Sequence, residues 1–202
     1  RAYTLHYLPA EGTGKLVYAL EDRPDRIDAF TGEVGYDWEQ SRPEKAVYTD
    51  LEGHYAQDAA EALAAYGIGF ESGEFHPEQT ITLGEFGELL YCAFMRPVVE
   101  KDAVEQWMRR QNLIAEEEDP ASDLSRKRAA SMLVTAMGYG EVAGLQRIYL
   151  SPFSDVTEDA GPIAILSAMK IICGNGDGMF YPEQSITRGE AVVLLYRYLS
   201  QK

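Results

Sequence analysis

The sequence predicts a mainly α fold made of three helix-loop-helix units behind a short β-rich segment. Three observations lead there. The segments Pro77-Glu78-Gln79-Thr80-Ile81-Thr82-Leu83-Gly84-Glu85, Pro120-Ala121-Ser122-Asp123-Leu124-Ser125-Arg126-Lys127-Arg128 and Pro182-Glu183-Gln184-Ser185-Ile186-Thr187-Arg188-Gly189-Glu190 stack without a gap, the signature of an internal repeat. Each runs into apolar residues at helical spacing: Phe86, Leu89, Leu90 and Ala93; Ala129, Met132, Leu133, Ala136 and Met137; Ala191, Leu194, Leu195 and Tyr198. Runs of strand character, rich in Tyr, Val and Leu, open the chain.

Residues 1–45 read as a β-rich leader or the remnant of an upstream domain. Tyr3 to Leu8 and Lys15 to Leu20 are strand candidates, and Ala29 to Val34 is a third, broken by a Thr-Gly turn. So few strands are marginal alone, so the piece either packs on the repeats or is the tail of a removed domain, the reading favoured here. Repeat 1, residues 46–97, opens with Tyr48-Thr49-Asp50-Leu51 and passes through an Ala-rich helix to Gly67-Ile68 and a Gly-rich loop. Repeat 3, residues 150–202, opens alike with Phe153-Ser154-Asp155-Val156 and reaches Ile171-Ile172. In repeat 2, residues 98–149, the helical face is Ala103, Val104, Trp107 and Met108, the apolar pair is Leu113-Ile114, and the loop shrinks to Glu116 to Asp119.

The second helix of each unit carries its own start signal. Thr82 with Glu85, and Thr187 with Glu190, form capping boxes: the threonine oxygen accepts from the amide three residues on, and the glutamate reaches back to the threonine amide. Losing such a cap costs about 1 kcal/mol. Ser125 keeps the cap in repeat 2, but Arg128 replaces the glutamate and puts a positive charge where the helix dipole disfavours it. That helix starts less firmly, or Arg128 serves elsewhere.

Composition narrows the function. Against 33 acidic residues the chain sets 18 basic ones, a net charge of −15, which argues against a nucleic-acid or anionic-membrane partner. No apolar run, Ala191 to Tyr196 included, approaches the ~18 residues of a membrane span, so no membrane insertion is expected. Cys92 and Cys173 are too few for a disulfide scaffold and are expected as two buried free thiols. His6, His54 and His76 fall in different units and support neither a metal site nor a catalytic triad. Every Asp/Glu pair is better explained by capping or surface charge than by acid-base catalysis, so no enzyme activity and no cofactor are expected. The turn Asn175-Gly176-Asp177-Gly178 lacks the further oxygen ligands and closing glutamate of a calcium loop. Glu116 to Asp119 reads as a solvated loop. Trp107 is expected in the core, while Trp38 sits in a polar stretch without a clear place. Without an initiator Met before Arg1, the chain is expected to be a processed or trimmed piece.

Taken together, Tyr48 to Asp50, His54-Tyr55-Ala56, Gly67-Ile68, Gly73-Glu74-Phe75-His76-Pro77 and Ile81 to Glu85 resemble the S-layer homology repeat of bacterial surface proteins. Gly174 to Pro182 and Ile186 to Glu190 resemble it again, and the likeness extends over residues 46 to 202. Val17 to Leu20 and Ile27 to Val34 resemble the end of a PepSY-type strand-rich domain. The first resemblance implies a pseudo-threefold bundle in which each repeat gives one helix to the centre and one outward prong. It implies clefts between neighbouring repeats that bind a secondary cell-wall polysaccharide, commonly carrying a pyruvate ketal, on an extracellular protein of the cell wall or S-layer.

In that family the arginine of a Thr-Arg-x-Glu motif lies in the cleft. It maps to Arg188 in repeat 3 and Arg126 in repeat 2, whereas repeat 1 has Leu83. A guanidinium offers fixed parallel donors to a carboxylate, and walls that exclude water strengthen the pair. Arg188 and Arg126, with the turn residues Asn175, Gly176 and Asp177, are the expected ligand-binding residues. Repeat 1, with nine acidic residues against Arg96 alone, is expected to repel an anionic ligand. The family's His-Trp pair appears as His54-Tyr55, and Asp159-Ala160-Gly161-Pro162 stands in its place in repeat 3. The alternative is a set of degenerate repeats serving as a structural or protein-interaction module of a larger exported protein.

Overall fold

The computed structural model describes residues 46–71, 73–95, 101–145, 148–174 and 176–201, and three strands nearer the start of the chain. Those strands, β1 (Tyr3–Leu8), β2 (Lys15–Leu20) and β3 (Arg26–Asp28), form an antiparallel sheet in the order β1-β2-β3, with Tyr3 opposite Leu20 and Val17 opposite Asp28. The expectations for Ala29 to Val34 and Trp38 lie outside the described residues.

Among the described residues seven helices follow: α1 (Gln57–Ala64), α2 (Leu83–Phe94), α3 (Lys101–Arg110), α4 (Arg126–Ala136), α5 (Gly140–Ala143), α6 (Ala160–Ala168) and α7 (Arg188–Leu199). The short α5 has no counterpart in the sequence expectations. α2, α4 and α7 begin one residue after Thr82, Ser125 and Thr187, where the caps place them. Both threonine caps close full capping boxes. Ser125 accepts from the Arg128 amide at 3.3 Å.

The first helices of the three units end alike. Gly67, Asn112 and Lys170 take left-handed φ angles of 72°, 55° and 59°. The next amides, of Ile68, Leu113 and Ile171, then donate to the carbonyls of Leu63, Met108 and Leu166 at 3.1, 2.8 and 2.9 Å. This terminal motif closes orphan carbonyls and drives an apolar side chain back into the core. Ile68, Leu113 and Ile171 are all buried.

At the centre, three backbone hydrogen bonds close a ring. The Ile81 amide donates to Ile186 at 3.1 Å, Ile186 to Leu124 at 2.9 Å, and Leu124 back to Ile81 at 3.0 Å. These residues occupy the same place in the three stacked segments. The ring also serves the helices: the first amides of an α-helix have no partner of their own. Leu83 and Gly84 donate to Ser122 and Pro120, Arg126 and Lys127 to Gln184 and Pro182, and Arg188 and Gly189 to Gln79 and Pro77, all between 2.8 and 3.0 Å. Each second helix thus starts against carbonyls of the next segment, in the order first to second to third to first. Consistently, α2 packs on α3, α4 on α6 and α7 on α1.

One apolar core runs through all three units, with Phe75, Phe86, Leu90, Leu133, Ile163 and Leu195 among its fully enclosed members. Trp107 is buried edge-on to Tyr91, as expected of a core residue. The cysteines are free, but only half of the expectation for them holds. Cys92 is half-buried, and loss of solvent pushes its thiol up to about 12. Cys173 is exposed, because the chain leaves the core directly after the buried pair Ile171-Ile172. Among the described residues no helix is long and apolar enough to cross a membrane.

Candidate functional site

Two loops are held from below by an aspartate. The Asp50 carboxylate accepts from the Phe75 and His76 amides at 2.7 Å each, and Asp155 accepts from Phe180 and Tyr181 at 2.8 and 2.7 Å. His76 and Tyr181, both at positive φ, turn the loop, and the carboxylate fixes that turn by satisfying both amides. Desolvation raises both carboxyls, but the amide donors outweigh it and hold them below the usual aspartate range. The repeated aromatic-x-Asp of the sequence is thus a loop anchor.

The loops in turn seat the two motif arginines. Arg126 donates through Nε to the Phe180 carbonyl at 2.8 Å and through Nη1 to Glu190 at 2.8 Å, and its guanidinium lies 4.9 Å from the centre of the Phe180 ring. Arg188 donates to the Phe75 carbonyl at 3.1 Å and to Glu85, with its guanidinium 4.5 Å from the Phe70 ring. Its Nε is buried with no hydrogen-bond partner among the described residues. The sequence left these arginines without a packing reason; the structure places both in internal bridges. Their partners are the capping-box glutamates of the next unit: one carboxylate oxygen closes the cap, the other receives the arginine.

The remaining junction is built differently. Leu83, where an arginine would sit, is buried at 5% exposure. Arg128, where the glutamate would sit, turns to its own unit, donating to Glu118 at 2.6 and 3.1 Å and to the Leu113 carbonyl at 2.6 Å. Glu118 is therefore not simply solvated, contrary to the reading of Glu116 to Asp119. Desolvation raises its carboxyl, but the Ala115 amide and Arg128 outweigh that and keep it below the ordinary range.

Beside Arg126 opens a cleft of about 430 Å³ between α4, α7 and the loop of the third unit. Arg126, Arg197 and Glu190 supply its charge, while Ala129, Ala130, Ile172, Val193, Leu194 and Phe180 make flat apolar walls. Tyr55, from the first unit, stands at its edge with 60% of its surface exposed. Arg197 also holds the rim, donating to the Ile171 carbonyl at 3.3 Å. A mixed cationic and apolar concavity can take a carboxylate attached to a hydrophobic ring or methyl group, with the ring of Tyr55 available for a sugar face.

Of the expected ligand residues, Arg126 lines this cleft and Arg188 does not. Gly176 and Asp177 are not among its walls, which the loop supplies through Cys173, Gly174 and Phe180. Asp177 instead accepts from the Met179 amide at 2.9 Å and the Tyr181 hydroxyl at 2.6 Å, the contacts that keep its carboxyl below its usual value. Asn175 lies outside the described residues. Among the described residues no cluster of His, Cys, Asp or Glu could hold a metal ion. Sequence reasoning missed Tyr55 and Arg197 as cleft residues and Glu85 and Glu190 as bridge partners. The second pair could have been found, since a glutamate in a repeated capping box has one oxygen to spare.

No curated protein matches the chain at a significant level. The family model of the S-layer homology domain, a domain of cell-wall binding and surface anchoring, matches residues 47–86 and 152–192, in the first and third units of the ring, so the chain carries this domain type as a repeat.

Proposed function

We propose that the chain is a non-catalytic anchoring module that binds an acidic saccharide of the cell wall in the cleft beside Arg126, on an extracellular protein. S-layer homology domains generally anchor proteins to cell-wall polysaccharide, and they bind rather than catalyse. The observation that carries the reading is the cleft itself: it combines two guanidinium groups, one carboxylate, an exposed tyrosine and flat apolar walls, and it draws on all three units. Arg126 and Arg197 receive the ligand carboxylate, here taken to be that of a pyruvate ketal, whose methyl group faces Val193 and Ile172. Tyr55 stacks on the sugar. Arg188 chiefly closes the ring of units. The middle segment, residues 98–149, is a third and diverged repeat between repeats at 46–97 and 150–202. Its Leu124 completes the hydrogen-bond ring, and α3 ends as α1 and α6 do.

The test is sedimentation with isolated cell walls, before and after removal of their polysaccharide. Arg197→Ala and Tyr55→Ala leave both arginine-glutamate bridges intact, so loss of retention in them reports the cleft. Each is expected to weaken retention, Arg197→Ala by the ~1.5 to 3 kcal/mol of a charge-assisted hydrogen bond. Full retention by both variants overturns the site. The individually exposed apolar residues Tyr139, Val142, Leu145, Ile148 and Leu150, near one another in sequence, favour a second reading, a protein-interaction module. Undiminished sedimentation with stripped walls would support that one.

A further inference from the structure

The sheet near the start of the chain has two edges of opposite character. Among the described residues β1 and β3 are its outer strands, each paired with β2 on one side only. β3 spans three residues, and two of them, Arg26 and Asp28, are charged. Shortness and charge are devices that keep an edge from pairing with another chain. β1 has neither. Its six residues, Tyr3-Thr4-Leu5-His6-Tyr7-Leu8, contain no Asp, Glu, Lys, Arg, Gly or Pro, and they pair with β2 at every position without a bulge. Along its outer side alternate amides and carbonyls have no strand partner among the described residues, on a sequence of high β propensity. Opposite residues of an antiparallel pair share a face. Tyr3, Leu5 and Tyr7 therefore lie on the face of Leu20, Tyr18 and Leu16, and Thr4 and His6 on the other.

We propose that β1 is a dimerisation strand: it pairs antiparallel with β1 of a second copy of the chain, about a twofold axis normal to the sheet, and joins two three-stranded sheets into one of six strands. Such an axis sets residues of like parity opposite one another. With Leu5 on the axis, Tyr3 meets Tyr7 of the second copy; with His6 on the axis, Leu5 meets it. In both registers Tyr and Leu meet Tyr and Leu, the cross-strand pairs that stabilise a sheet, and the apolar face runs unbroken across the junction. Charge points to the same strand. Two copies carrying −15 each repel one another, and an uncharged strand is where they can touch without bringing like charges together. A sheet whose third member has only three residues is marginal by itself, so added strands stabilise it most. The contact is isologous and closes at two copies, because each β1 has one free edge.

Sedimentation equilibrium of the whole chain tests this. The wild type is expected to dimerise, and more tightly as salt is added, since salt screens the repulsion between acidic bodies and leaves backbone pairing untouched. Thr4→Lys combined with His6→Lys leaves the apolar face as it is and sets like charges opposite in either register. That double variant is expected to dimerise about tenfold more weakly. Thr4→Glu combined with His6→Glu should behave the same way. An equimolar mixture of the two double variants is expected to regain the wild-type association, since opposite charges then meet, and that recovery shows that each variant kept its strand. A wild type that stays monomeric, as it would if β1 pairs with a strand of another protein, overturns the proposal. So does a dimer that the lysine variant leaves intact, a dimer that loosens with salt, or a mixture that stays monomeric.

Discussion

The junction between the second and third units and the junction between the first and second use the same backbone scheme and opposite side-chain schemes. In one, Arg126 meets the capping glutamate Glu190 across the boundary. In the other, the equivalent positions hold Leu83, buried, and Arg128, which bonds within its own unit. Two apparent defects of the sequence, a missing motif arginine and a missing capping glutamate, are therefore two halves of one exchange. An arginine at position 83 would face the cation at 128 with no carboxylate between them. The lesson is that a partly buried ion pair survives or disappears as a unit, because stranding either member leaves an uncompensated charge.

The sharpest way to break this comparison is to restore only half of the pair. Leu83→Arg removes a buried apolar side chain and sets a guanidinium against Arg128, and is expected to cost about 3 to 5 kcal/mol in urea unfolding. Adding Arg128→Glu should return about 1 to 3 kcal/mol of that loss as coupling energy. Additive losses in the double variant would show that positions 83 and 128 do not meet. Next in size, Glu190→Ala loses the glutamate half of a capping box, while the Thr187 cap stays, and strands Arg126 against Phe180, for an expected cost of about 2 to 4 kcal/mol in the same assay. Arg128→Ala breaks only a half-exposed pair within one unit and should cost about 1 kcal/mol. If Arg128→Ala proves as damaging as Glu190→Ala, the two junctions are not different in kind.

The smallest effect concerns acid. Asp50 and Asp155 have folded values lowered from 3.8, so the stability they confer is complete above that value and is lost as pH falls through the lower folded value. The urea midpoint of the wild type should fall as pH drops below 3.8, and the double variant Asp50→Asn with Asp155→Asn should show a flatter decline. An identical pH profile would remove the aspartates as loop anchors. The residual pH dependence of the double variant collects what the other lowered carboxyls, Glu118 and Asp177 among them, contribute.

Much of this was legible in the chain itself. Thr82, Ser125 and Thr187 set three helix starts, and the apolar positions behind them set the buried faces, because a cap bonds to an amide only three residues away. Local geometry of that kind needs no knowledge of the fold. Trp107 declared itself by its place on a helical face. What the sequence could not decide were the relations between units. Nothing local says that Glu85 receives Arg188, 103 residues on, or that Arg128 turns inward to Glu118. The exposure of Cys173, and the opening of the cleft beside Arg126, likewise depend on which helix closes against which. The cyclic bonding of Ile81, Leu124 and Ile186 decides that order. It is a tertiary property, since each of the three amides finds its carbonyl in another unit.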